Sequence, residues 1–231
     1  INIYKRSILS GVNFFFGKIE NYVILSYLPP SAIREESSLI YMINLLIEKS
    51  KNSLSEVIQN KENLTSKIEL LNKTDAKTIL IALSYSLLDY AETNNIKVYN
   101  NIIIMDTGGM KGKRKEIIRE ELHSKLKYFF GTQTILSEYS MTELLSQAYS
   151  KGEGIYSTPP WMKILIRDIN DPLASEKNNK TGGINIIDLA NINSCSFIST
   201  YDLGVRFIDG RFKIFGRFDN SDIRGCSLLT Y

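Results

Sequence analysis

The segment 137–143, Ser-Glu-Tyr-Ser-Met-Thr-Glu, brings three side chains of complementary chemistry together directly after a short apolar run. The aromatic ring of Tyr139 can stack on a purine base, and the Thr142 hydroxyl can donate a hydrogen bond to a phosphate. The Glu143 carboxylate is an oxygen ligand of the kind that binds Mg²⁺. Glu143 could equally open a helix and stabilise its N-terminal dipole, so both alternatives stand at this point.

Two later segments carry polar groups that suit a sugar and a phosphate. Asp202, in the segment 200–204, has a carboxylate that can accept hydrogen bonds from both ribose hydroxyls. Arg217, in the segment 216–219, offers a planar fork of donors for a phosphate or a ribose. Taken singly, a turn aspartate and a surface arginine are simpler interpretations. The order of the three segments along one chain favours a nucleotide site.

The chain contains two cysteines, Cys195 and Cys226, in unlike contexts. Cys226 follows Arg224 and Gly225, and a nearby cation stabilises the thiolate, which is the nucleophilic form of cysteine. Cys226 is therefore a candidate nucleophile, with a small buried residue as the ordinary alternative. Cys195 lies in a predicted strand and is expected in the core. The spacing predicts neither a disulfide framework nor a zinc cluster, which favours a reduced, cytoplasmic protein.

Charge and composition limit the classes of partner. The 231 residues are 43% apolar, and 28 basic and 25 acidic residues give a net charge of +3. The basic residues are scattered, so nucleic acid is not the expected partner. The longest apolar runs fall short of the roughly 20 residues that span a bilayer, so no transmembrane helix is predicted. The single histidine, His123, lies among charged residues and is expected at the surface rather than as a base.

The elements that must position these residues alternate between helix and strand over residues 1–160. Strands that alternate with helices indicate an α/β fold with a largely parallel sheet flanked by helices. Because the chain opens within a helix and lacks an initial Met, the fold is expected to be N-terminally incomplete. The predicted elements are an opening helix, a strand over 21–28, a helix from Ser37 to about Lys49, a polar surface excursion over 51–73 with a short helix or hairpin, a helix from Thr74 to about Tyr90, a strand over 97–105, and a helix over 114–130 that closes on Gly131.

In a parallel sheet, ligands bind outside the carboxyl ends of the strands. Gly108 and Gly109 follow the buried run Ile102–Met105, and the segment 137–142 follows the next short strand. The chemistry is therefore expected at these two loops, where glycine allows the backbone to approach a ligand closely.

From Trp161 the pattern changes to short strands divided by turn residues. Residues 161–231 are therefore predicted to form a smaller, β-rich and more antiparallel domain. Asp209 and Gly210 lie between two of these strands and predict a hairpin with a type I′ turn, in which both residues have positive φ.

The three polar segments, in this order, resemble the motifs of the adenylate-forming superfamily of acyl-CoA synthetases, peptide-synthetase adenylation domains and firefly-type luciferases. Ser140 and Tyr201 each stand where that pattern has glycine. The resemblance implies ATP and Mg²⁺ as cofactors. Its implied roles are Gly108 and Gly109 alongside adenine, Tyr139 facing adenine, Thr142 on the α-phosphate, Glu143 on the metal, Asp202 on the ribose, and Arg217 on the ribose or phosphate.

A closer resemblance, to the LuxE-type acyl-protein synthetases of bacterial luminescence operons, extends over nearly the whole chain. It is carried by the segments 37–42, 105–112, 141–149, 159–163, 187–191 and 222–228. The resemblance implies that a long-chain fatty acid is adenylated and that its acyl group passes to a cysteine near the C-terminus. Cys226 stands where that cysteine is expected. A reductase or an acyltransferase would be the partner of such an enzyme.

Two parts of the superfamily pattern do not occur in these residues. One is the Ser/Thr/Gly-rich phosphate loop, which normally lies upstream, and the other is the C-terminal subdomain whose lysine assists adenylation. The LuxE-type branch has a very short subdomain or none, so its absence fits the closer resemblance. An acyl- or aryl-CoA ligase of the same fold and a non-catalytic nucleotide-binding fragment are the alternatives.

Overall fold

The computed structural model describes residues 1–33, 37–94, 96–110 and 112–218. The chain divides into two compact units, Ile1–Pro159 and a second unit from Pro160 onward. Cys226 and the end of the segment 216–219 lie outside the described residues. Within the described part, no helix is long and apolar enough to cross a membrane.

The first unit is a sheet with helices on both faces. Its strands follow the order β2-β1-β3-β4-β5-β6-β7, and the pairings from β2 through β5 are parallel whereas those of β6 and β7 are antiparallel. Its elements are α1 (Asn2–Phe16), β1 (Val23–Tyr27), α2 (Ser38–Ser50), β2 (Glu56–Ile58), α3 (Lys61–Asn72), β3 (Thr78–Leu83), α4 (Ser84–Thr93), β4 (Ile102–Thr107), α5 (Arg119–Phe130), β5 (Ile135–Tyr139), β6 (Ala148–Ser150) and β7 (Ile155–Ser157).

Two apolar clusters cover the two faces of this sheet. In β3, Ile79 and Ile81 belong to the cluster formed with α1 and α2, whereas Leu80 and Ala82 belong to the cluster formed with α3, α4 and α5. Every residue of β3 is consequently buried. A strand covered on both faces shows a continuous apolar run instead of alternation.

The continuous run explains why the prediction of a helix from Thr74 is wrong. Residues 78–83 form β3, and the helix begins only at Ser84. A short apolar run fits a buried strand and a buried helix equally well, and periodicity alone does not distinguish them.

The prediction for residues 51–73 is correct in its short helix and wrong in its surface position. β2 pairs in parallel with β1, and α3 buries Leu64, Ile68 and Leu71 in the core. Their spacing of four and three residues is that of one helical face, although polar residues surround them.

Local capping signals predict two helix ends correctly. The Ser37 side chain accepts a hydrogen bond from Ile40 N at 3.4 Å and begins α2. Gly131 ends α5 with a φ of 69°, a conformation that favours glycine. The start of α5 differs, because the helix begins at Arg119 and not at Arg114.

The second unit is an antiparallel sheet of β8 (Met162–Arg167), β9 (Thr181–Asp188), β10 (Phe197–Arg206) and β11 (Phe212–Arg217) in the order β11-β10-β9-β8. The predicted fold class, a largely parallel α/β sheet followed by a β-rich region, is confirmed. The hairpin of β10 and β11 forms, but its turn is not type I′. Gly210 has a φ of 88°, while Asp209 does not have a positive φ.

Candidate functional site

Two candidate loops leave the same edge of the sheet in the first unit. β4 and β5 are parallel neighbours, and their register pairs Asp106 with Ser137 and Thr107 with Glu138. The Thr107 hydroxyl donates a hydrogen bond to the buried Glu138 carboxylate and so links the two strand ends. The structure therefore brings the Gly108–Gly109 loop and the segment after Ser137 together, as the parallel topology predicts.

Gly108 adopts a φ of 68°, in the left-handed region that favours glycine. Gly109 is half-buried, and a Cβ added there would meet no atom within 4 Å. The backbone at Gly109 therefore has open space beside it, which would allow the close approach of a ligand.

The ring of Tyr139 is half-buried and packs against Tyr156. The two rings meet edge to face with their centroids 6.0 Å apart. The guanidinium carbon of Arg119 lies 5.4 Å from the centroid of the Tyr156 ring, so a cation–π contact holds the second ring of the pair. These contacts give Tyr139 a fixed orientation while part of its ring stays accessible.

Thr142 and Glu143 are exposed on the turn between β5 and β6. The turn is closed by a hydrogen bond from Leu144 N to Met141 O at 3.0 Å. No helix begins in residues 140–147, so the alternative in which Glu143 stabilises a helix N-terminus is wrong. The carboxylate instead lies at the surface, where it could ligate a cation.

A buried polar network lies beneath the two loops, at the carboxyl ends of β3, β4 and β5. Its centre is the fully buried Asp106, whose carboxylate accepts hydrogen bonds from Ser84 Oγ at 2.8 Å and Ser137 Oγ at 2.5 Å. Arg119 Nη1 lies 3.2 Å from Asp106 Oδ2, and His123 Nε2 lies 3.1 Å from Asp106 Oδ1. The network thus contains a compensated buried charge.

Burial alone would raise the pKa of Asp106. The hydrogen bond with His123, the charge of Arg119 and the hydrogen bond from Ser137 outweigh that effect, and together they hold the pKa of Asp106 below its ordinary value. Asp106 is therefore ionised at neutral pH despite its burial.

Ser84 connects this network to the glycine loop. Its hydroxyl lies 3.1 Å from the carbonyl oxygen of Gly108 and 3.3 Å from that of Thr107, in addition to its contact with Asp106. One hydroxyl therefore lies within hydrogen-bond distance of the strand end, the loop and the buried carboxylate.

The prediction of a surface position for His123 is wrong. The side chain is buried on α5, and its Nε2 contacts both Asp106 and Ser137 at 3.1 Å. The charged residues beside it in sequence occupy the solvent face of the same helix, whereas His123 faces the sheet. Because the same nitrogen contacts both partners, this is not the arrangement of a relay that activates a serine.

Asp202 and Arg217 are brought together in the second unit. They form a register pair of β10 and β11, and Arg217 Nε lies 3.9 Å from Asp202 Oδ1. The Asp202 side chain is 14% exposed and the Arg217 side chain is 76% exposed. A largely buried carboxylate and a largely exposed guanidinium therefore lie side by side on neighbouring strands.

The prediction that Cys195 is a core residue is wrong. Cys195 is an exposed free cysteine that precedes β10, and its thiol lies 3.0 Å from the carbonyl oxygen of Phe197. The polar residues on both sides of Cys195 are typical of a turn, and the strand begins only at Phe197.

Comparisons with known proteins find similarity at the level of structure. No family model matches the sequence, and no curated protein is detectably similar to it. ATP-bound MatB from Rhodopseudomonas palustris superposes with a TM-score of 0.67 at 12% identity, over 93% of this chain and 44% of that chain. The luciferase-like enzyme from the mealworm Zophobas morio gives a TM-score of 0.61 at 14% identity, over 93% and 54%.

Coronafacic acid ligase from Pectobacterium brasiliense gives a TM-score of 0.59 at 17% identity. The fold is that of the adenylate-forming enzymes. The chain spans less than half of the length of MatB and of coronafacic acid ligase, at 44% and 43%. Identities this low show the adenylate-forming fold alone, so the roles of individual residues remain proposals.

Sequence analysis missed the residues that support the candidate site from within. Asp106, Arg119 and Ser137 are separated by 13 to 31 positions, and their contacts arise only from the parallel pairing of β4 and β5 with α5 above them. The one signal in the sequence is a charged residue, Asp106, directly after the apolar run that ends at Met105.

Proposed function

We propose that this chain is part of an enzyme that uses ATP to activate a carboxylic acid as an acyl-adenylate. The substrate class is a long-chain fatty acid, and the acyl group then passes to the thiol of Cys226. The observation that carries the proposal is that 93% of the chain shares its fold with a structure described as ATP-bound MatB. Of the residues that resemble the superfamily motifs, Tyr139 ends β5, Thr142 and Glu143 lie on the turn that follows, Asp202 lies within β10, and Arg217 ends β11.

In the first step, a carboxylate oxygen of the acid attacks the α-phosphorus of ATP and pyrophosphate leaves. Tyr139 would stack on adenine, with the Gly108–Gly109 backbone alongside it. The Thr142 hydroxyl would donate to the α-phosphate, whose negative charge increases as the new P–O bond forms. Asp202 would accept hydrogen bonds from the ribose hydroxyls.

Arg217 suits a phosphate because its guanidinium is exposed and weakly held. Its contact with Asp202 is long, at 3.9 Å, and because the guanidinium is largely exposed, solvent screens the attraction between the two charges. The guanidinium can therefore turn toward a nucleotide at little cost.

Glu143 fits Mg²⁺ because its carboxylate is exposed beside Thr142, the residue proposed to contact the phosphate. No group of three metal-ligating side chains occurs among the described residues. Mg²⁺ usually binds through one or two carboxylates together with substrate phosphates and water. When bound, Mg²⁺ would neutralise charge on the phosphates.

In the second step, the Cys226 thiolate attacks the acyl carbon. The C–S bond forms, the bond between the acyl carbon and the phosphate oxygen breaks, AMP leaves, and the thiol proton passes to solvent. A reductase or an acyltransferase would take the acyl group from this thioester. The proposal includes a cytoplasmic location, because a free thiol acceptor requires reducing conditions.

The transfer step predicts a thioester on Cys226 after incubation of the full-length protein with ATP, Mg²⁺ and a fatty acid. Mass spectrometry of the intact protein should show one acyl adduct that hydroxylamine removes. Cys226→Ser should lose the adduct but retain pyrophosphate exchange, because adenylation precedes transfer. The exposed Cys195 provides the matched control, and Cys195→Ser should keep the adduct.

Two outcomes would contradict the transfer step. An adduct that persists in Cys226→Ser would assign the acyl group to another residue. Active adenylation without any adduct in the natural protein would favour an acyl- or aryl-CoA ligase, in which coenzyme A accepts the acyl group.

A further inference from the structure

The ladder between β9 and β10 is interrupted where β10 carries Asp202. Ser199 pairs with Asn185 and Leu203 pairs with Gly183, so residues 200–202 of β10 lie opposite the single residue Ile184. An irregularity of this kind bends a strand and re-aims its side chains, and such bulges are frequent beside active sites.

The guanidinium of Arg167, from the end of β8, fills this interruption. Its Nη1 donates to Ile184 O at 3.0 Å and to Asn185 Oδ1 at 2.8 Å. Its Nη2 donates to Thr200 O at 2.6 Å. Arg167 thereby supplies donors to β9 and to the bulged part of β10, where the two strands do not pair with each other.

Gly183 provides the space for this arrangement. A Cβ at Gly183 would lie 2.4 Å from Arg167 Cζ, which is closer than side-chain atoms can approach. The glycine on β9 is therefore matched to the arginine on β8, and neither residue belongs to the motifs that the sequence analysis identified.

Short contacts join Arg167 to the two candidate nucleotide residues. The Thr200 hydroxyl accepts from Asp202 N at 3.0 Å and donates to Ile184 O at 2.9 Å. On the other side, the Arg167 guanidinium carbon lies 5.5 Å from the centroid of the Phe218 ring, in the residue after Arg217. Phe218 N donates to Tyr201 O at 2.6 Å. Arg167 thus contacts Thr200, which lies two residues before Asp202, and Phe218, which directly follows Arg217.

We propose that Arg167 is a positioning residue for ribose recognition, which holds the bulge so that the Asp202 carboxylate faces the ribose hydroxyls. The inference rests on the proposed function, because it assumes that Asp202 binds the ribose. A merely structural Arg167 would stabilise the sheet and affect the binding of every nucleotide equally. A positioning Arg167 affects only the part of the affinity that comes from the hydroxyls.

The test compares the dissociation constants of ATP and 2′,3′-dideoxy-ATP, measured by calorimetry on the full-length protein. The natural protein should prefer ATP by about tenfold or more, since the hydroxyls donate to a charged acceptor. Arg167→Gln should weaken ATP binding and leave that of dideoxy-ATP unchanged, so that the preference disappears. Arg167→Lys, which keeps the charge and one donor nitrogen but not the planar fork, should retain part of the preference.

Two further variants provide a second test and a control. Gly183→Ala should reduce the preference in the same way by displacing the guanidinium, and it tests the inference if Arg167→Gln does not fold. Arg206→Gln is the matched control, because Arg206 ends β10, the strand that carries Asp202, but donates to Asn178 Oδ1 in an exposed contact. This variant should keep the preference of the natural protein.

The inference is overturned if folded Arg167→Gln and Gly183→Ala keep the preference for ATP. It is also overturned if these variants bind ATP and dideoxy-ATP more weakly by the same factor. The proposed function would still stand after such a result, provided that the natural protein prefers ATP over dideoxy-ATP and that Asp202→Ala loses this preference. A natural protein that binds neither nucleotide would overturn the proposed function together with the inference.

Discussion

Asp202 and Arg217, the two residues proposed to contact the ribose and a phosphate, differ in how far the fold buries them. The two face each other across β10 and β11 but differ in exposure, 14% against 76%. The carboxylate is largely buried on its strand, whereas the guanidinium is largely exposed and makes only a long contact with the carboxylate. The proposed contact of Asp202 with the ribose requires a carboxylate held in place, and the proposed contact of Arg217 with a phosphate requires an accessible guanidinium.

Glu143 gives a prediction at the residue scale. Since it lies on an exposed turn with no helix behind it, Glu143→Gln should leave the unfolding midpoint nearly unchanged. The same variant should raise the Mg²⁺ concentration needed for half-maximal, acid-dependent pyrophosphate release by about tenfold, because one charged ligand is lost. Glu153→Gln, another exposed acid of the first unit, is the control and should match the natural protein. If Glu143→Gln releases pyrophosphate at the natural rate when Mg²⁺ is limiting, Glu143 does not bind the metal.

At the scale of elements, the ends of β3, β4 and β5 are tied together by the Asp106 network. The network includes Ser84 at the start of α4 and Arg119 and His123 on α5. Through Ser84 the network contacts the Gly108–Gly109 loop. Through Ser137, and through the contact of Arg119 with Tyr156, it supports the strand that ends at Tyr139. Both candidate loops are therefore anchored to buried hydrogen-bonded residues.

The network predicts how stability depends on pH. Because the pKa of Asp106 is below its ordinary value, its contribution is fully present above the unfolded pKa of about 3.9 and is lost as pH falls through the lower folded pKa. Asp106→Asn should lower the free energy of unfolding by roughly 3 kcal/mol at pH 7, since it leaves Arg119 poorly compensated.

Urea unfolding of the full-length protein between pH 7 and pH 3 measures both effects. The Asn variant should also lose less stability than the natural protein on acidification. Asp89→Asn is the control, because Asp89 is paired with Arg114 at the surface and its loss should cost less than about 1 kcal/mol. An Asp106→Asn variant with the natural stability and acid dependence would contradict the role of the network.

The same elements show what sequence can and cannot predict. Ser37 and Gly131 end their helices through contacts within a few residues, so their signals are local. β3 was mistaken for helix because burial on both faces removes the alternation that marks a strand. His123 was misplaced because its partners, Asp106 and Ser137, approach it only after β4 and β5 pair. Arg167 was missed for the same reason, since the bulge that it fills is a property of paired strands.

At the scale of the whole molecule, the candidate residues are distributed over two compact units. Tyr139 and Glu143 belong to the first unit, and Asp202 and Arg217 belong to the second. The chain also covers only 44% of the length of MatB. Experiments on activity therefore require the full-length protein.

Acid-dependent pyrophosphate exchange is the direct measure of whether the protein activates a carboxylic acid with ATP. In the full-length protein with Mg²⁺, labelled pyrophosphate should enter ATP only when a carboxylic acid is present, and long-chain fatty acids should support the fastest exchange in a panel that includes short and aromatic acids. Asp202→Ala should lower the exchange at limiting ATP by about ten- to hundredfold, whereas Asp209→Ala, in an exposed turn with its own partner Arg211, should not. Absence of acid-dependent exchange in a folded protein that binds ATP would contradict the claim and favour a non-catalytic nucleotide-binding role.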